Sequence, residues 1–304
     1  MKILVTGSSG LVGTALGSVL ARAGHTVCRL VRPQSVASEG ATEGFAVAWN
    51  PATGELGGAG VGADAVVNLA GASIADGRWT KQRKVVLRAS RIDATQALVN
   101  ALAKMNARPS VLVSASAIGF YGNRGDETLT EESNPGTDFL AGLAQEWEAE
   151  ALKAEALGIR VVLARFGIIL AREGGALPRM LTPFKLGVGG RLGSGKQWMS
   201  WVTLEDAAGI LRFAIENVPV RGATNVVSPQ PLQNQEFTKV LAKAMHRPAL
   251  IPAPAFALRL ALGEMADALL LSSQRVAPQA LEKLGYRFLH SELSAALKSL
   301  VSTI

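Results

Sequence analysis

The residues best placed to do chemistry stand near the start of the chain, in Thr6-Gly7-Ser8-Ser9-Gly10-Leu11-Val12-Gly13. The G-x-x-G-x-x-G spacing follows a short apolar run and opens a helical pattern. Gly7 permits a tight turn, Gly10 lets the backbone approach a pyrophosphate, and Gly13 lets a helix pack closely on a strand. With Ser9 beside them, Leu11 and Val12 begin the helix, whose free N–H groups and positive dipole end suit phosphate. Placed between strand and helix, this motif predicts dinucleotide binding rather than an ordinary glycine-rich turn. The next strand pattern, Thr26-Val-Cys-Arg-Leu-Val-Arg32, lacks the acidic residue that would hold a ribose 2′-hydroxyl. Arg32 stands there instead, and its guanidinium fork suits a 2′-phosphate, so NADP(H) is the expected cofactor.

Other strand ends supply further candidates, because such sheets bind ligands at their carboxyl edge. Leu69, Ala70 and Gly71 are small enough, taken together, for the chain to run close beneath a cofactor. Ser114 and Ser116 put hydroxyls where a nicotinamide would lie. Tyr121 follows them, and its phenol could reach the same pocket or simply pack the loop. Arg165 ends a later strand, facing either the cofactor or an ion-pair partner. Lys185, Arg191, Lys196 and Ser200 come from a glycine-rich insert, with Trp198 and Trp201 as apolar walls. That insert reads as a site for a small anionic substrate, or as a solvated loop.

Scarcity excludes other chemistry. The single cysteine, Cys28, forbids a disulfide within the chain, and His25, His246 and His290 are too scattered for a helical zinc motif, so no metal is expected. Basic residues outnumber acidic ones by 31 to 24, a mild +7, and aromatics are only 5%, so nucleic-acid binding is not expected. Ala255 to Leu271 is apolar but broken by Arg259, Glu264 and Asp267, which argues against a membrane span. With one thiol and no export-type segment at its start, the chain is expected in the cytoplasm. An oligomer is left open.

These candidates must be positioned by the elements around them. Short apolar runs at Lys2–Thr6, Thr26–Val31, Ala65–Leu69, Val111–Ser114 and Arg160–Ala164 predict buried strands. Helical patterns lie between them over Leu11–Ala23, Thr80–Lys104 and Phe139–Leu157. The alternation predicts an α/β, Rossmann-like, doubly wound parallel sheet. Residues 1–170 form the expected dinucleotide-binding domain, and residues 171–304 mainly a smaller, helix-rich substrate lobe. Segments from about 201 to 228 could return to the first domain. Lys81, Lys84, Arg88 and Arg91 share one helix face, which reads as a solvated stripe or as one from which Arg91 turns inward toward substrate.

Together these residues resemble the extended short-chain dehydrogenase/reductase superfamily, which includes the nucleotide-sugar epimerases. The resemblance rests on Thr6–Gly13, Asn68-Leu-Ala-Gly71, the segment Ser114 to Gly122, and Arg165-Phe-Gly167. More narrowly, Asp64 to Ala72, Pro183 to Gly187, Gly193 to Trp201, Leu258 to Met265 and Ser273 to Val276 resemble the atypical "epimerase family" branch. The resemblance implies a Rossmann-like domain with NADP and a distinctive C-terminal domain, and it implies no particular substrate.

Departures from that pattern matter as much. Relatives use an Asn, a Ser or Thr, and a Y-x-x-x-K pair whose Lys lowers the Tyr pKa for proton transfer. Ser116 matches the serine, and Arg91 falls where the Asn would. The helix expected to carry Tyr and Lys has neither, and the two tyrosines of the chain, Tyr121 and Tyr286, are followed four residues on by Gly125 and His290. Two readings follow. One is an NADP(H)-dependent oxidoreductase or epimerase-like enzyme for a small anionic substrate such as a nucleotide sugar, with Ser116 and Tyr121 catalytic. The other is a non-catalytic NADPH-binding regulatory or partner-binding protein, as the branch's link with cell division would imply.

Overall fold

In the computed structural model, residues 1–33, 45–57 and 62–301 are described. The strands in chain order are β1 Lys2–Thr6, β2 Thr26–Val31, β3 Phe45–Asn50, β4 Glu55–Leu56, β5 Ala65–Asn68, β6 Val111–Ala117 and β7 Thr128–Leu129. They continue as β8 Arg160–Phe166, β9 Ile168–Leu170, β10 Trp198–Met199, β11 Trp201–Thr203, β12 Gly222–Val226, β13 Leu232–Gln233 and β14 Arg275–Val276. The α-helices are α1 Leu11–Arg22, α2 Lys81–Ala89, α3 Ile92–Ala103, α4 Phe139–Leu152 and α5 Leu177–Lys185. After them come α6 Leu204–Glu216, α7 Asn234–Met245, α8 Ala255–Leu262, α9 Gln279–Lys283 and α10 Leu293–Val301.

Eight strands form one sheet in the order β12-β8-β6-β5-β1-β2-β3-β4. Its pairings are parallel except that of β3 with β4. Because side chains alternate across a strand, Ile3 and Val5 face one layer and Leu4 the other. The first layer includes Leu16 and Leu20 of α1 and Ile210 and Leu211 of α6. The second includes Leu98 and Leu102 of α3 and Ala151 of α4. Burial on both faces explains why these strands read as continuous apolar runs. A separate core joins Leu181 and Phe184 of α5, Trp201, Phe237 and Leu241 of α7, and Leu297 of α10. The chain crosses between the two units: α6 packs on α1, and β12 extends the main sheet beside β8. No helix among the described residues is long and apolar enough to cross a membrane.

Some elements depart from the sequence-based expectation. The helix expected over Thr80–Lys104 is two helices, because Ser90 and Arg91 leave helical register between α2 and α3. The Thr80 hydroxyl caps α2 by accepting from the Arg83 N–H. The apolar stretch from Ala255 to Leu271 is likewise broken: α8 ends at Gly263, whose φ of +62 is left-handed, and the chain resumes as a π-type turn over Ala266–Leu271. β3 and α5 carry weak signals: β3 alternates, with Val47 and Trp49 inward, and α5 contains Pro183.

Candidate functional site

The loop from Gly7 to Gly13 is shaped by close backbone contacts. Gly7 has φ +65, and a Cβ there would lie 2.6 Å from the Leu69 carbonyl oxygen. A Cβ on Gly13 would lie 2.2 Å from the Gly7 oxygen, so β1 and α1 meet at a distance only glycine permits. The Gly10 N–H donates to the Gly7 carbonyl at 3.0 Å. Gly10 also begins α1 with no side-chain cap and no acidic residue in the first turn. The helix end therefore turns uncapped N–H groups and an uncompensated positive dipole toward the loop. A dinucleotide pyrophosphate fits such a cradle. Ser9 is exposed on it, and Leu11 packs on the backbone of Gly174 and Gly175.

A buried polar lattice fixes the floor. Thr6 donates to Asn68 Oδ1 at 2.7 Å and accepts from the Leu69 and Ala70 N–H groups at 3.1 and 3.3 Å. Asn68 Nδ2 in turn donates to Thr95 at 2.8 Å and to Ser114 at 3.3 Å. Trp147 Nε1 closes the lattice on Thr95 at 3.0 Å. Leu69 to Gly71 are thus held beside the glycine loop. Ser114, expected to touch a cofactor, is instead fully buried in the floor, where it fixes Asn68. Since Thr6 pairs with Leu30, the exposed Arg32 emerges just past the end of β2, next to the loop.

A second buried network surrounds Ser116, and it revises the roles expected there. The Ser116 hydroxyl donates to Glu148 Oε1 at 2.5 Å, from a residue 3% exposed. Arg165 grips the same carboxylate with Nε and Nη2, both at 2.8 Å, and its guanidinium stacks 3.5 Å from the Phe120 ring centre. Its remaining nitrogen donates to the Tyr121 hydroxyl at 3.0 Å, and that hydroxyl donates to Asn225 Oδ1 at 2.7 Å. Tyr121 is fully buried. Burial pushes its phenol up, only partly offset by Arg165, the reverse of what an acid/base tyrosine needs. The Tyr121 phenol is therefore turned into the interior, between Arg165 and Asn225, rather than exposed to a pocket. Arg165, a candidate cofactor contact, is occupied by an internal ion pair.

The basic stripe divides. Lys84 pairs with Glu264 at 2.6 Å and Arg88 with Glu146, both as solvated ion pairs. Arg91, freed by the break between α2 and α3, turns inward instead. Its guanidinium donates to the carbonyls of Ala72 and Leu87 at 3.0 and 3.2 Å, and lies 5.2 Å from the Trp147 ring centre. A Cβ on Gly71 would stand 3.2 Å from its guanidinium carbon. Burial, then the nearby Arg83 charge, pushes Arg91 down to about 10, so it stays charged at neutral pH.

The glycine-rich insert is less unified than its composition suggests. Lys185, Arg191 and Lys196 are exposed, and Arg191 donates to the Ser194 carbonyl at 2.7 Å. No hydrogen bond or ion pair among the described residues joins these three to Arg91 or to the glycine loop. Trp198 donates to Asp126 at 2.7 Å under the Arg275 guanidinium. Ser200, expected to touch substrate, is 1% exposed, donating to the Gln274 carbonyl and accepting from the Val276 N–H. It ties the insert to the C-terminal segment.

Glu148, Arg83 and Asn225 escaped the sequence reading. Glu148 had a visible signal: it lies four residues after Ala144 and three before Ala151, on the buried face of α4. Among the described residues, no three His, Cys, Asp or Glu side chains gather as a metal site.

The comparisons agree with this geometry. The family model described as "NAD dependent epimerase/dehydratase family" matches residues 3–227, and "Domain of unknown function (DUF1731)" matches 253–300. An epimerase family protein of Mycobacterium bovis is 44% identical over 296 residues, spanning 97% of this chain and 96% of that protein. The epimerase family protein YfhF of Bacillus subtilis is 40% identical over 314 residues, spanning 99% and 98%. The crystal structure of human epimerase family protein SDR39U1 (isoform 2) with NADPH superposes with a TM-score of 0.88 at 32% identity, covering 100% of both chains. A nucleoside-diphosphate sugar epimerase from Corynebacterium glutamicum gives a TM-score of 0.79 at 35% identity, covering 99% of this chain and 58% of that one.

Proposed function

The chain belongs to the NAD dependent epimerase/dehydratase family, as an atypical short-chain dehydrogenase/reductase, and from that premise we propose that it binds NADP(H) at the sheet's carboxyl edge and acts on a small anionic substrate. The observation that carries this reading is the open end of α1, uncapped and without an acid, above two glycines that leave no room for a side chain. The human relative solved with NADPH supports the choice of cofactor.

The N–H groups of Leu11 and Val12 would hold the pyrophosphate, and Arg32 the 2′-phosphate. When bound, the nicotinamide supplies hydride exchange with a substrate carbon. Arg91 meets the anionic part of the substrate beside Gly71. Ser116 is the catalytic hydroxyl of this reading, and its hydrogen-bond partner is Glu148 rather than Tyr121. The chemistry is that of a reductase or of a sugar-nucleotide epimerase.

A second reading, NADPH binding without turnover, is favoured by one observation: the hydroxyls of Ser116 and Tyr121 are both engaged inside the protein. NADPH fluorescence titration, followed by NADPH oxidation with a panel of carbonyl compounds and nucleotide sugars, separates the two. Binding with turnover supports the enzyme; binding with none across the panel supports the sensor. Absence of NADPH binding defeats both.

A further inference from the structure

We infer that Arg83 and Arg91 together form an oxyanion site, on the loop from Gly71 to Asp76, that receives a phosphate or carboxylate group of the substrate. This rests on the substrate reading above and names the group and the second residue that bind it. Arg83 lies in the first turn of α2 and Arg91 just past its end, yet both reach the same loop. Arg83 donates to the Ser73 carbonyl and Arg91 to the neighbouring Ala72 carbonyl.

Their neighbours are in direct ion pairs and they are not. Lys84 has Glu264, Arg88 has Glu146, and Arg179 holds Asp76, the acid of the loop itself, at 2.8 Å. Neither Arg83 nor Arg91 forms an ion pair with any described carboxylate. Carbonyl oxygens satisfy hydrogen bonds but do not cancel charge, and Asp76, the carboxylate that feels Arg83, is held by Arg179, so two guanidinium cations share one loop with one carboxylate that is already paired. Like charges held together in a partly buried place cost free energy, and they are recurrent features of sites built for a ligand.

A further unmet group points the same way. The Nε–H of Arg83 is buried and has no acceptor among the described residues. Orphaned buried donors are rare because each forgoes a hydrogen bond it made in water. An oxyanion is the acceptor that would satisfy that donor and the charge at once, in the fork geometry that guanidinium groups offer. The Trp147 ring packs against the Arg91 guanidinium, 5.2 Å from ring centre to guanidinium carbon. The contact of Arg91 with Gly71 puts the site at the end of β5, on the edge where the cofactor cradle opens.

The test reads the donor itself. In ¹⁵N-labelled protein with saturating NADPH, the Arg83 Nε–H resonance, identified by its loss in Arg83→Lys, is followed against inorganic phosphate and, in a separate arm, acetate. A saturable downfield shift with either anion is the expected result, and the stronger of the two arms assigns the group. Arg83→Gln should weaken binding of that anion about ten-fold or more, the size of a lost charge-assisted hydrogen bond, with NADPH affinity unchanged. A resonance unmoved by both anions, or phosphate and acetate binding undiminished in Arg83→Gln, overturns the site. NADPH oxidation is read separately. Anion binding without turnover would remove the hydride chemistry and leave the site standing.

Discussion

Ser116 and Arg165 stand opposite each other on β6 and β8, and both donate to the same oxygen, Oε1 of Glu148, at 2.5 and 2.8 Å. Arg165 adds a bond to Oε2, so the carboxylate is held as a fork, with both side chains about 5% exposed. Removing the carboxylate would strand a buried guanidinium, which costs far more than an ordinary lost contact. Glu148→Ala is expected to lower unfolding stability by ~3–5 kcal/mol, read from urea denaturation. A loss below ~1 kcal/mol, typical of solvated pairs, would show that the pair does not hold the sheet to α4.

Tyr121→Phe tests the division between structure and chemistry. The variant leaves Asn225 Oδ1 without its donor and Arg165 without one acceptor, both buried. A stability loss of ~1–3 kcal/mol is expected. NADPH affinity, and turnover on any substrate found, should change by less than about two-fold. A fall in kcat of ~100-fold, the contribution of a general acid, would return the phenol to the mechanism.

What could be read from the chain follows from how local each constraint is. β1 and β2 were expected at their observed bounds because burial on both faces writes an uninterrupted apolar run. The cradle was legible because its close contacts demand glycine at fixed steps. The break at Ser90 and Arg91 was not, since neither residue is a helix breaker and the guanidinium's destination is a loop nineteen residues earlier. The same holds for Tyr121, whose hydroxyl is claimed by Asn225 from 104 positions away. Ser200 looked like a ligand contact because the segment that claims it, near Gln274, lies 74 residues on.

The cradle makes a paired test with two glycines of α1. Gly13→Ala puts a methyl 2.2 Å from the Gly7 oxygen and 2.7 Å from the Ser8 Cα, and backbone cannot yield as a side chain can. It is expected to destabilise by ~1–3 kcal/mol and to weaken NADPH at least about ten-fold. Gly17, four residues on, has nothing within 4 Å of its Cβ position among the described residues. Gly17→Ala should therefore gain ~0.5–1 kcal/mol from helix propensity and bind NADPH as the parent does. Unchanged NADPH affinity in Gly13→Ala would mean that the pyrophosphate does not sit against this loop.

Arg32 makes the sharpest claim about which dinucleotide enters. It is exposed beyond the end of β2, forms no ion pair with a described residue, and is not needed for packing, so Arg32→Ala should leave the unfolding midpoint in place. A guanidinium that binds a phosphate contributes ~1.5–3 kcal/mol, which is roughly 10- to 100-fold in affinity. NADPH should weaken by that factor, while NADH, which has no 2′-phosphate, should weaken by less than about three-fold. The loss should shrink with added salt, because an exposed charge pair is screened. Equal losses for both dinucleotides would place Arg32 away from the 2′-phosphate and remove the basis for preferring NADP(H) from this strand end.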